Sequence, residues 1–100
     1  MRLLTTLLVA SGLFAQDYVV VRAIRFEHFK RVPASELRDR LNEREARLSV
    51  DHPYRPEDAE EARRFITELL AEKGLPGARI EIATRAVAPR RVEVRFKLVN

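Results

Sequence analysis

The chain has 100 residues, no cysteine, 34% charged side chains and a formal charge of +4. That length allows one domain with one thin core, and the missing cysteines exclude disulfide staples, thiolate metal sites and a lipid-anchored lipoprotein. The charges are interleaved, with Glu36 four before Arg40 and Glu60 four before Arg64, the favourable order for helix pairs, which points to solvated helix faces rather than a nucleic-acid surface.

Met1-Arg2 and the uncharged run from Leu3 to Ala15 have the form of a signal peptide. The run is shorter than the ~20 apolar residues a spanning helix needs. It ends among small residues, Ala10, Gly12 and Ala15, that suit a signal peptidase. Residues 1–15 are expected to be removed, leaving 16–100 as a single exported domain. An uncleaved anchor or a buried apolar segment is the alternative.

Tyr18 to Phe29 is the first expected strand, rich in valine and then alternating through Ile24 and Phe26. Val21 is out of phase with Ile24, which points to a bulge or a switch of face near Arg22-Ala23. Pro33 opens a short helix whose core pair is Leu37 and Leu41, and which ends softly after Asn42. Residues 42–55 form a connection in which Leu48 and Val50 are expected to tuck inward and Tyr54 to pack before a second helix.

That second helix is the clearest element. Ala59, Ala62, Ile66 and Leu69 recur at steps of three and four, with Phe65 and Leu70 beside them. Pro56 suits the first helical position, Glu57 and Asp58 suit the positive end of the dipole, and Lys73-Gly74 supplies the stop. After Leu75-Pro76-Gly77 the period falls to two: Ala78, Ile80 and Ile82 alternate with Arg79 and Glu81. Thr84 to Arg91 is expected to be a loop around Pro89. Arg91 to Val99 is then the last strand, with Val92, Val94, Phe96 and Leu98 on the buried side and Glu93, Arg95 and Lys97 on the wet side. The last two strands make an antiparallel hairpin. The predicted fold is α+β: a two-layer β-α-α-β-β domain, a three-stranded mixed sheet covered on one face by two helices.

Chemistry is hard to find. His28 and His52 are scattered, and Ser49, Asp51 and His52 sit together in a loop with no glycine elbow or oxyanion donor beside them. No paired-carboxylate or phosphate-cradling motif is present, so no catalytic residue, metal site or cofactor is expected.

The order of elements, with these residues, resembles the POTRA domain (polypeptide-transport-associated domain). VVVRAIRF followed by VPASELRDRL looks like the family's first strand and helix, and PYRPEDAEEARRFITELL like its second helix with the preceding aromatic. Most specific is Gly74-Leu75-Pro76-Gly77-Ala78-Arg79-Ile80, which follows the family's G-Y-x-x-A-x-V spacing, so Gly74, Leu75, Gly77, Ala78 and Ile80 form its signature. His28 departs from the pattern, because the family usually has glycine there; Leu70 and Leu75 replace aromatics.

The resemblance implies a non-enzymatic periplasmic scaffold, associated with the outer membrane through its partner rather than by spanning it. Its partners would be unfolded outer-membrane or secreted polypeptides, or an outer-membrane barrel. It implies binding partly by strand addition to an open sheet border, here Ala78, Arg79, Ile80, Glu81, Ile82 and Ala83. A signal-anchored scaffold of the cell-division type is the nearest rival. A KH-like nucleic-acid module would need a G-x-x-G between the helices, where this chain has no glycine.

Overall fold

The structure, a computed structural model, describes residues 18–99. The expected signal peptide at residues 1–15 lies outside them. Five elements follow in order: β1 (Val20–Glu27), α1 (Ala34–Glu43), α2 (Pro56–Glu72), β2 (Ile80–Ala88) and β3 (Arg91–Leu98). The sheet order is β1-β3-β2, with β1 parallel and β2 antiparallel to the central β3. The predicted architecture is the one observed.

Both helices cover one face of the sheet. Leu37 and Leu41 of α1 join Ala62, Ile66, Leu69 and Leu70 of α2 in one apolar cluster with Val21, Ile80, Val94 and Phe96. Each of the larger side chains contributes about 1.5–3 kcal/mol when fully buried, so this single cluster is the main cohesive force of the domain. Phe26 stacks on Phe96, with ring centroids 5.9 Å apart, and Arg38 of α1 lies over its ring.

The ends of α2 explain why it is so well defined. Pro56 occupies its first turn and Glu57 and Asp58 follow. At the other end Gly74 takes φ +89°, Leu75 N donates to Leu70 O at 2.8 Å and Gly74 N to Ala71 O at 3.1 Å. These are the two bonds of a Schellman stop, and Leu75 packs against the core that contains Leu70.

The bulge expected near Arg22-Ala23 is present as a register shift between Val21 and Ala23. Four expectations need correction. Residues from Thr84 onward are not a loop: β2 continues to Ala88, and only Pro89-Arg90 turn the chain. This half of β2 overhangs the helix layer and is exposed on both faces, so no apolar alternation marks it. Backbone pairing to β3 holds it instead. Val50 is 46% exposed rather than tucked in, because Asp51 after it turns at φ +71° and ties its N–H to Val21 O.

Glu93, expected on the wet side, is only 4% exposed. Arg25 and Arg85 close over it from the neighbouring strands. The ion pairs on the helices also differ. Glu60 pairs with Arg63, and Arg40 reaches across to Glu72 on α2 through two hydrogen bonds of 2.6 and 3.0 Å. The forked geometry of guanidinium against carboxylate makes this cross-helix grip better than the in-helix pair.

Candidate peptide-binding edge

Order β1-β3-β2 leaves β2 on one border of the sheet, and among the described residues no strand pairs with its outer side. The opposite border is partly closed. Residues 51–54 run against the start of β1, with Asp51 N donating to Val21 O, Val21 N to His52 O and Tyr54 N to Val19 O.

The direction of the β2 backbone follows from one bond. Val99 N donates to Arg79 O at 3.0 Å, so Arg79, Glu81, Ala83 and Arg85 turn their backbone groups toward β3. Alternation then turns those of Ile80, Ile82 and Thr84 outward. The residues expected to form the edge therefore divide. Ala78 and Arg79 precede the strand, Glu81 and Ala83 spend their N–H and C=O on β3, and Ile80 and Ile82 present theirs to the border. Thr84, beyond the expected stretch, adds a third outward position because the strand is longer than its apolar pattern.

Side chains follow the other alternation. Ile80 is buried, and Ala78 and Ile82 pack partly against the core, while Arg79, Glu81 and Ala83 are exposed. Gly77 turns at φ +74°, and a Cβ added at Gly74 or Gly77 would meet nothing within 4 Å. The signature glycines thus serve backbone conformation, not close packing.

An open groove of about 1220 Å³ follows the β2 border, from α2 round to Glu27, Arg95 and Lys97 on the uncovered face of the sheet. Its α2 wall carries Arg63, Arg64, Thr67 and Ala71, and its floor is the border from Ala78 to Ala83. Arg63 Nη1 lies 3.4 Å from Ile80 O, a long contact to the first outward carbonyl, while the same guanidinium holds Glu60. Thr67 donates its hydroxyl back to Arg63 O at 2.8 Å, which leaves its methyl on the wall. No sequence pattern singled out Arg63, since its role depends on a tertiary contact to backbone.

On the uncovered face of the sheet, Arg25 Nε bonds Glu93 at 2.6 Å and Arg95 bonds Glu27 at 2.6 and 3.0 Å. The Arg25 hydrogen bond, with the charges of Arg85 and Arg95, holds the Glu93 carboxyl below its ordinary value although burial opposes this. Like-charge and opposite-charge ladders of this kind make the face a poor template for apolar association. Among the described residues no group of three or more His, Cys, Asp or Glu side chains could hold a metal ion, and no helix is long and apolar enough to cross a membrane.

Comparison with known proteins agrees with this fold. The crystal structure of Haemophilus influenzae BamA POTRA4 is similar to this chain at a TM-score of 0.66 and 18% identity, over 82% of this chain and 91% of that one. No curated protein sequence matches. The family described as "POTRA: Surface antigen variable number repeat" matches residues 19–99, the whole span from β1 to β3. A glycine-stopped second helix, laid over a β1-β3-β2 sheet and matched from end to end, makes this chain a member of the POTRA family.

Proposed function

We propose that this POTRA domain is a non-enzymatic scaffold of outer-membrane protein assembly or protein translocation, acting in the periplasm after removal of residues 1–15 as a signal peptide. It engages extended polypeptide, either an outer-membrane or secreted client or a segment of an outer-membrane barrel, by strand addition to β2. The observation that carries this reading is the outward-turned backbone of Ile82 and Thr84 on a border that no described strand occupies. An extended chain satisfies such groups whatever its side chains, so one border accepts many sequences. The flanking groove gives alternate side chains of the incoming strand a place beside Thr67 and Ala71. Arg79 and Glu81 put charge along the same border, which discourages pairing between copies of the domain.

Thr84→Pro tests the reading. It removes one outward N–H and leaves the β2–β3 bonds intact, a placement that edge strands tolerate. With a ten-residue peptide of alternating apolar and polar residues as probe, the substitution is expected to weaken binding about tenfold, as one lost hydrogen bond and a steric block on the border imply. Unchanged affinity in a variant with unchanged helical content would refute strand addition here. Proline at Glu81 serves as the contrasting case, because it removes an N–H that faces β3 and should unfold the border itself.

A further inference from the structure

A second surface lies at the far end of the sheet, where β1 and β3 begin and β2 ends. Val20 pairs with both Arg91 and Pro53, and Val20 N donates to Arg90 O, which brings three chain segments together. Arg22, Arg25, Arg85 and Arg91 line a hollow there with Asp51 and Glu93, and Arg90 stands at the adjoining turn. Glu93 is already shared between Arg25 and Arg85. Among the described residues no carboxylate lies within ion-pairing distance of Arg22, Arg90 or Arg91. The local balance is therefore basic.

Exposed apolar side chains collect at the same end. Tyr18, Val50 and Val87 are 55, 46 and 41% exposed, and they flank the arginines: Tyr18 two residues before Val20, Val50 beside Asp51, Val87 at the bulge before the turn. A tyrosine and short aliphatic chains among guanidinium groups suit a bilayer headgroup layer, which takes aromatic rings at its boundary and offers phosphates to arginine. The hollow at this end is lined mainly by charged groups, which makes it a poor seat for the apolar anchoring side chain of a folded partner.

We infer that the end formed by Arg22, Arg90 and Arg91 with Tyr18, Val50 and Val87 docks on an anionic phospholipid surface. Docking there holds the sheet end-on to the membrane and leaves the β2 border, on the side of the domain, free for an extended chain. The inference is independent of strand addition, so either can fail alone.

The test is sedimentation of residues 16–100, the chain left after removal of the signal peptide, at low ionic strength, with vesicles of equimolar phosphatidylglycerol and phosphatidylcholine. Replacing Arg22, Arg90 and Arg91 by Gln is expected to lower partitioning about a hundredfold, given roughly 1 kcal/mol for each arginine near an anionic surface. Replacing Lys30, Arg31 and Lys97, at the opposite end of the sheet, removes the same charge and is expected to change it less than about threefold. For the unsubstituted chain, binding should fall steeply as salt is added and be weak on pure phosphatidylcholine. Equal losses from the two triple variants, or equal binding to both vesicle types, would overturn the inference. Binding of a polyglutamate peptide through the same three arginines, with no vesicle binding, would overturn it too and assign the surface to an acidic polypeptide.

Discussion

Arg63 of α2 and Ile80 of β2 meet where the helix looks down on the sheet border, Nη1 lying 3.4 Å from the Ile80 carbonyl oxygen. The arginine thus occupies the first acceptor that an added strand would use. Ile82 and Thr84, further along, have no such cover. If the border takes up a strand as proposed, the length it offers is set by one side chain on the neighbouring helix.

Arg63→Ala is accordingly expected to tighten binding of an extended peptide. It frees the Ile80 carbonyl to accept from the incoming strand, and one net hydrogen bond of about 1 kcal/mol corresponds to roughly fivefold in affinity. Calorimetric titration of both forms with the same peptide checks this, and weaker binding would assign Arg63 a direct role in holding the peptide.

Stability should fall in acid through Glu93. Its folded-state pKa lies below the ordinary 4.5, because Arg25 donates to the ionised carboxylate and Arg85 and Arg95 add positive charge. The unfolded chain then binds more protons than the folded one as pH drops below about 4.5. The stabilisation is complete above that value and is lost as pH falls through the depressed folded pKa. Glu93→Gln is expected to lower the urea midpoint at neutral pH and to make its decline in acid shallower. Superimposable midpoint-against-pH curves would contradict the assignment. Glu72, held low by its hydrogen bonds from Arg40, adds to the same acid limb in both forms.

Two turn positions give opposite results on substitution. His28 adopts φ +67°, where a side chain costs roughly 1–2 kcal/mol, against roughly 0.5–1 kcal/mol for the extra freedom of glycine. His28→Gly should therefore raise stability by up to about 1 kcal/mol. Gly74→Ala should lower it by about 1–2 kcal/mol although the added methyl meets nothing, with Gly74→Asn losing less. Chemical denaturation measures all three, and a His28→Gly loss would mean that the imidazole itself holds the turn.

These positions also show how far the sequence could be read. The apolar stripe of α2, its proline start and glycine stop, and the alternation of β3 each lie within one element and were legible. The irregularity in β1 was legible too, but a phase slip between Val21 and Ile24 fits a bulge or a switch of face, and the register shift between Val21 and Ala23 shows it to be a bulge. The second half of β2 was not legible. Thr84 to Ala88 lie outside the helix cover, so their strand character comes from pairing with β3 and leaves no mark on their hydrophobicity. For the same reason the expected border stopped at Ala83 and missed Thr84. Glu93 misled in another way: alternation placed it correctly on the uncovered face, but the arginines that bury it come from two other strands. Arg63 and the arginine-rich end depend wholly on tertiary placement.

Amide hydrogen exchange, resolved by residue, reads the border most directly. On adding the alternating ten-residue peptide, the Ile82 and Thr84 amides should slow, while Glu81 and Ala83, already bonded to β3, should change little. Slowing confined to α1, α2 or the uncovered sheet face, with Ile82 and Thr84 exchanging as before, would contradict the account.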